Sequence, residues 1–122
     1  MPIKLKNSAA EVIKVSIFTN SLPMSKLLHI YFCYFPHSKY HYEALCEFFD
    51  LVSIDIICHP GDNFLILGDF NISNASWVCS YNMGYMDLRN FHDDDIYINS
   101  LFYFLNFNDL KQFNSVSNAN KK

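Results

Sequence analysis

A carboxylate and an amide follow an apolar stretch of this sequence at a spacing that could support hydrolytic chemistry. Asp69 and Asn71 come just after the apolar residues 64–67 and flank Phe70. If the chain stays extended here, both polar side chains point to one side while Phe70 points to the other, into the core. A carboxylate beside an amide can hold and polarise a water molecule, or help to bind a hard cation such as Mg²⁺.

The same residue types are also common in ordinary turns. Asp and Asn are frequent just after strands because their side chains hydrogen-bond to the backbone of the turn. Gly68, which precedes Asp69, has no side chain, so a substrate or another backbone segment could come close to the carboxylate. The residues alone leave both interpretations open, a reactive pair and a turn.

The elements around this pair predict an α/β fold. Residues 11–18 alternate between apolar side chains and polar ones such as Lys14 and Ser16, which predicts a half-exposed strand. Residues 26–35 are apolar on both faces, so we expect a central strand that is covered on both sides. With residues 19–25 as the connecting turn, the two strands should form an antiparallel hairpin.

A helix and a third strand complete the predicted order. Apolar residues recur at helical spacing over residues 42–56, and the helix should end before residues 59–61, whose Pro and Gly cannot continue it. Residues 64–67 predict a short apolar strand, and the strand–helix–strand order implies a right-handed crossover between parallel neighbours. Residues 96–110 are apolar nearly all round, which predicts a packed helix or a partner-binding surface.

Length and composition limit the class of protein. The chain has 122 residues, which fits one domain, and its 51% hydrophobic and 17% charged residues exclude a disordered chain. A net charge of -3 provides no basic surface for nucleic acid, so a metal ion or another segment would have to neutralise phosphates. With no signal peptide and no membrane-spanning stretch, we expect an intracellular protein whose four cysteines are reduced and mostly buried.

Two other clusters and one further histidine have simpler explanations than a functional site. Residues 92–95 form an acidic run, which is better explained as a solvated loop in which Asp94 or Asp95 caps the helix that follows. His37 and His41 have helical spacing, but zinc needs at least three protein ligands, so we expect surface histidines. His29 lies in a strand that should be buried, which predicts a core histidine with satisfied hydrogen bonds.

Residues 64–72 (FLILGDFNI), followed by Trp77, resemble the GDFN strand of the endonuclease/exonuclease/phosphatase family. The closest likeness is to the endonuclease domain of non-LTR retrotransposons. The strand that ends at residues 34–36 (YFP) is similar to the family's YxPP strand, and the predicted helix follows it as in the family. Residues 104–113 resemble the segment after the motif. The resemblance covers roughly residues 11–118, and GDFN is its specific part.

This resemblance implies a partial four-layer α/β sandwich, in which mixed β-sheets are flanked by helices, and residues 1–122 would form a single truncated domain. It implies that Asp69 orients or deprotonates the attacking water, and that Asn71 hydrogen-bonds the scissile phosphate as its charge develops. Mg²⁺ or Mn²⁺ would neutralise the phosphate oxygens and the leaving group. DNA would be the substrate, with the nucleus as the expected location.

Two parts of the family pattern are missing from the sequence. There is no upstream metal-binding Asn and Glu, since Glu11 begins a later strand, and no Ser-Asp-His follows. We therefore expect a fragment of a metal-dependent phosphodiester hydrolase that is inactive as it stands. A partner or a missing segment would cover its apolar surface and sheet edges. The alternative is a non-catalytic remnant or partner-binding fragment.

Overall fold

The computed structural model describes residues 1–6, 8–19, 26–73, 75–79, 84–89 and 95–113. The chain divides into two compact units, Met1–Asn71 and Ile72–Lys122. In chain order, the elements are β1 (Pro2–Ile3), β2 (Glu11–Thr19), β3 (Lys26–Tyr34), α1 (His41–Cys58), β4 (Asn63–Asp69), β5 (Ser76–Cys79), β6 (Met86–Arg89) and α2 (Ile96–Phe107).

The first unit contains a mixed sheet with the strand order β1-β2-β3-β4. β2 pairs with β3 in the antiparallel direction, and β3 pairs with β4 in the parallel direction. The predicted hairpin and the parallel pairing across the helical crossover are therefore confirmed. The turn predicted around Pro23 lies outside the described residues.

Helix α1 packs on one face of this sheet through large apolar side chains. The ring centroid of Phe48 lies 5.7 Å from that of Tyr31 and 5.3 Å from that of Phe35, both edge-on. The helix ends at Cys58, as predicted, because Pro60 has no N–H to donate and Gly61 takes a φ of 108°. The buried residues of α1 are His41, Ala44, Leu45, Phe48, Phe49 and Val52.

The opposite face of the sheet, called the outer face below, is exposed among the described residues. The expectation that β3 is covered on both sides is wrong there, since Phe32 is 44% exposed and Tyr34 47%. Alternation shows that the two faces of a strand differ, but it does not show which face a helix will cover. Besides Tyr34, the exposed apolar side chains of the outer face are Ile13, Val15, Ile17, Phe32, Leu65 and Leu67, each between 39% and 46% exposed.

On the helix side, Lys14 of β2 points to a carboxylate of α1. Its Nζ lies 2.6 Å from Asp55 Oδ2, and the Tyr31 hydroxyl donates a hydrogen bond to the same oxygen. Burial by itself raises the pKa of Asp55, but the hydrogen bonds from Lys14 and Tyr31 outweigh it, so the pKa is lowered overall. This ion pair explains how a polar position of β2 can face the helix.

We expect Asp55→Asn to destabilise the first unit by about 2 kcal/mol at pH 7, because Lys14 and Tyr31 lose a charged hydrogen-bond acceptor. The lowered pKa of Asp55 adds stability above the unfolded value of about 3.9, and that stability is lost as the pH falls through the folded value. Urea unfolding between pH 7 and pH 3 should show a flatter pH dependence for Asp55→Asn. Asp50→Asn, at an exposed position of the same helix, is the matched control.

The second unit contains a hairpin and a helix. β5 and β6 pair in the antiparallel direction, with Trp77 opposite Leu88, and this hairpin was not predicted from the sequence. Helix α2 begins after Asp95, whose carboxylate accepts hydrogen bonds from the backbone N–H groups of Tyr97 and Ile98. The predicted cap is confirmed at Asp95. The rest of the acidic run, residues 92–94, lies outside the described residues.

Helix α2 is shorter and less covered than predicted. It ends at Phe107 instead of residue 110, and Tyr103 and Phe107 are 72% and 70% exposed. Its buried side chains recur every third residue and are Ile98, Leu101 and Phe104.

The cysteines are free wherever the structure describes their side chains. Cys33 is buried as predicted, but Cys58 at the end of α1 is exposed, and the side chain of Cys79 lies outside the described part. Neither α1 nor α2 is long and apolar enough to cross a membrane.

Candidate functional site

The candidate carboxylate stands at the carboxyl end of β4, beside the end of β3. Asp69 is the last residue of the strand and pairs with Tyr34. Its backbone carbonyl accepts a hydrogen bond of 2.9 Å from the N–H of Phe35. The Asp69 side chain is exposed, so a reactant could reach it. The sheet thus holds the backbone of Asp69 in place while leaving its carboxylate accessible.

Gly68 is required by the close approach of β3. Its φ of 152° lies in a region that residues with a side chain rarely adopt. A Cβ built on it would lie 1.9 Å from the carbonyl oxygen of Cys33. The sequence left open whether a substrate or another backbone segment comes close to Gly68. In the structure, it is the backbone of β3 that does so.

Asp69 and Asn71 are close together, but not in the way that an extended chain predicts. The strand ends at Asp69, and Asn71 takes a left-handed φ of 53°, which Asn tolerates better than most residues. The N–H of Asn71 donates a hydrogen bond of 2.8 Å to Asp69 Oδ1. This contact has the form of an Asx turn, so the expectation of alternating side chains through Asn71 is wrong.

The side chain of Asn71 joins the ends of β3 and β4. Its Nδ2 donates a hydrogen bond of 2.7 Å to the backbone carbonyl of Phe35. An amide nitrogen carries two N–H groups, so one remains for a ligand. Within the described ranges, Asp69 Oδ2 and Asn71 Oδ1 also have no hydrogen-bond partner. A turn and a reactive pair are therefore compatible at this position.

Phe70 anchors the turn in the core, as predicted. Its ring centroid lies 5.7 Å from that of Phe35, 6.0 Å from that of Phe48 and 5.8 Å from that of Phe49. These contacts fix the residue between the two polar ones. The aromatic cluster therefore holds the middle residue of the turn, between Asp69 and Asn71.

His41 is a supporting residue that the sequence interpretation placed wrongly on the surface. It is 5% exposed, and its Nε2 donates a hydrogen bond of 2.8 Å to the carbonyl of Phe70. His37, by contrast, is exposed as predicted. The spacing of the two histidines could not reveal this partner, because the carbonyl lies 29 residues away along the chain.

A second carboxylate shares the sheet row of Asp69. Glu11 pairs with Tyr34 of β3, and Tyr34 pairs with Asp69. Two strand spacings place the Cα atoms of Glu11 and Asp69 about 10 Å apart. The sequence could not predict this neighbour, since it depends on the register of two strand pairs.

A magnesium or manganese ion does not find a complete protein site here. Among the described residues there is no group of three or more His, Cys, Asp or Glu side chains that could hold a metal ion. One oxygen of Asp69 already accepts the N–H of Asn71. The described residues of this chain therefore do not form a complete site for such an ion by themselves.

We expect Asn71→Ala to destabilise the first unit by about 1–2 kcal/mol, because it removes the hydrogen bond to Phe35 and forces alanine into a left-handed conformation. Asn71→Gly should cost less, since glycine adopts this φ without strain. Urea unfolding of both variants tests this. If Asn71→Ala were as stable as the unchanged chain, the amide would not hold the strand ends together.

Comparisons with protein-family models, with curated proteins and with solved structures gave no match. The geometry of the β4 end and the resemblance of its motif are therefore the grounds for a functional proposal. They single out Asp69, which is exposed, and the half-buried Asn71 beside it, in a turn that Phe70 anchors in the core.

Proposed function

We propose that this chain is the central part of a metal-dependent phosphodiester hydrolase domain of the DNA-nicking kind, and that it is inactive by itself. The observation that carries the proposal is the turn after β4, where the GDFN motif presents an accessible carboxylate beside an amide. In α/β sheets, ligands bind in the crevice beyond the carboxyl ends of parallel strands. Asp69 lies at such an end.

The two residues have complementary roles in this proposal. Asp69 Oδ2 accepts the proton of a water molecule and orients it for attack on phosphorus. The second N–H of Asn71 Nδ2 donates to a phosphate oxygen, whose negative charge grows in the transition state. The net charge of -3 means that this chain does not balance the charge of DNA, so the remaining parts of the domain would have to do so.

The outer face supports the proposed four-layer architecture. Helix α1 covers one side of the sheet, while six large apolar side chains on the other side are at least 39% exposed. Apolar surface of this kind is normally covered by a partner or by another part of the domain. A second sheet packed on the outer face would complete a layered sandwich.

The second candidate function is a non-catalytic remnant that persists only when a partner covers the outer face. The same exposed apolar residues favour it, because exposed apolar surface promotes association. It differs from the first proposal in expecting no hydrolysis from any longer form of the protein. The two candidates are therefore separated by the behaviour of the longer protein.

Nicking of a supercoiled plasmid tests the proposal. We expect no nicking by the 122-residue chain, but Mg²⁺- or Mn²⁺-dependent nicking by the protein translated from the complete reading frame. Binding of a hydrophobic dye should be strong for the chain and weak for the longer protein, in which the outer face would be covered. A longer protein that binds dye equally well and nicks at no metal concentration would establish the second candidate instead.

A further inference from the structure

Three polar side chains near the start of β4, away from the Asp69 turn, are joined by hydrogen bonds. Ser16 Oγ lies 2.9 Å from His29 Nδ1, and His29 Nε2 lies 2.8 Å from Asp62 Oδ2. The three residues come from β2, β3 and the loop before β4. His29 lies five residues before Tyr34 on β3, so this cluster is about 17 Å from the row of Asp69.

The hydrogen bonds determine which nitrogen of His29 carries the proton. The hydrogen bond from His29, more than any other influence, lowers the pKa of Asp62, so its carboxyl group is ionised at neutral pH and can only accept. Nε2–H of His29 therefore donates to Asp62. In the neutral ring Nδ1 then carries a lone pair, to which the Ser16 hydroxyl can donate. This is the protonation state in which a histidine can act as a general base.

The fold holds these groups firmly while leaving the hydroxyl accessible. Ser16 and His29 are direct cross-strand partners, and the His29 ring is stacked on Phe64 with centroids 4.7 Å apart. The backbone N–H of Leu27 donates a hydrogen bond to the other oxygen of Asp62. His29 is only 3% exposed, whereas Ser16 is exposed. The possible nucleophile Ser16 thus lies beside a base, His29, and Asp62 orients that base.

We propose that Ser16, His29 and Asp62 form a nucleophilic site that hydrolyses small esters of carboxylic acids. The Ser16 oxygen attacks the ester carbonyl carbon while Nδ1 of His29 takes the hydroxyl proton. His29 then gives this proton to the alcohol oxygen as the ester C–O bond breaks. Water, deprotonated by His29 in the same way, attacks the acyl-Ser16 ester. The acid leaves, and the proton returns to the Ser16 oxygen.

The surroundings of Ser16 indicate which ester fits. Phe18 lies two residues further along the same face of β2 and is 64% exposed, so an aromatic group of the substrate can pack against it. On the other side, two residues back, Lys14 is bound to Asp55 Oδ2 at 2.6 Å, so it offers the ester no free positive charge. A small aromatic ester such as p-nitrophenyl acetate matches the exposed ring of Phe18.

Covalent labelling with diisopropyl fluorophosphate, which reacts with activated serines, tests this site on the full 122-residue chain. Peptide mass mapping should place the label on Ser16, and Ser16→Ala should remain unlabelled. His29→Gln should react at least about 100-fold more slowly, since general-base catalysis contributes at least that factor. Ser38→Ala is the matched control, because Ser38 is exposed outside this cluster, and its labelling should equal that of the unchanged chain.

Because the His29 side chain is buried, a second variant is needed in case His29→Gln does not fold. Asp62→Asn removes the charge from a loop residue and should also slow both the labelling and the release of p-nitrophenol from p-nitrophenyl acetate, by about 10-fold or more. Equal labelling of Ser16 in folded Asp62→Asn and in the unchanged chain would overturn the proposal. Label spread evenly over exposed serines, Ser38 included, would overturn it as well.

Discussion

Replacing Asp69 with alanine is expected to lower Mg²⁺-dependent plasmid nicking at least about 100-fold in the protein translated from the complete reading frame. The reason is that Asp69 Oδ2 is the group proposed to take the proton of the attacking water, while Oδ1 is occupied by the N–H of Asn71. Because the Asp69 side chain is exposed, its removal should leave the fold intact and cost only the hydrogen bond from the N–H of Asn71. Nicking rates and urea unfolding measured on the same preparation separate the two effects.

The matched control for this prediction is Asp50→Ala. Asp50 is an exposed aspartate on helix α1, and its removal changes the net charge by the same amount. Nicking by this variant should equal that of the unchanged protein. If Asp69→Ala nicked DNA as fast as Asp50→Ala, Asp69 would not be the base, and the turn after β4 would have a structural role alone.

Gly68→Ala should produce the largest loss of stability in the first unit, about 3–5 kcal/mol. The new Cβ would lie 1.9 Å from the Cys33 carbonyl oxygen, so β3 and β4 would have to separate. Backbone strain at such a φ and a forced shift of packed atoms each cost about 1–3 kcal/mol. Urea unfolding of this variant, followed by circular dichroism, measures the loss.

Gly61→Ala is the matched control for Gly68→Ala. Gly61 also has a positive φ, 108°, but a Cβ there would meet nothing within 4 Å. Only backbone strain destabilises Gly61→Ala, so its loss of stability should be clearly smaller than that of Gly68→Ala. Equal losses at the two positions would mean that the contact with Cys33 does not restrict β4, and that conformation alone explains the glycine.

The sequence was informative where a local signal decides the structure. The end of α1 follows from Pro60 and Gly61, whose backbone properties stop a helix regardless of the rest of the fold. The core position of Phe70 and the cap at Asp95 were also predictable, because each depends on residues close in the chain. The β2–β3 hairpin followed from two neighbouring strands of suitable length.

Features that depend on distant partners were not predictable. The face of β2 that meets the helix carries Lys14, whose partner Asp55 lies 41 residues away in the chain. The β5–β6 hairpin was missed because its strands have only four residues each, too few to show alternation. His29 was correctly expected to be a satisfied core histidine, but its two partners became visible only with the strand register.

The structure brings together the two residues that the sequence analysis proposed, but in a geometry that the sequence did not predict. Asp69 and Asn71 were identified from their spacing, and the structure places them in contact. The left-handed φ of Asn71 and its bond to Phe35 depend on the packing of the β3 end. A sequence pattern with a period of two cannot indicate where a strand stops within one residue.

The central claim, that this chain is the middle of a hydrolase domain, is tested most directly by sequencing the transcript through both ends of its reading frame. We predict that the frame continues upstream to strands that carry an Asn and a Glu, and downstream to a Ser-Asp-His motif. Asp69 and Asn71 would then have the remaining parts of an active site beside them. Stop codons directly before Met1 and directly after Lys122 would contradict the claim, because the site would lack its metal ligand and its closing histidine.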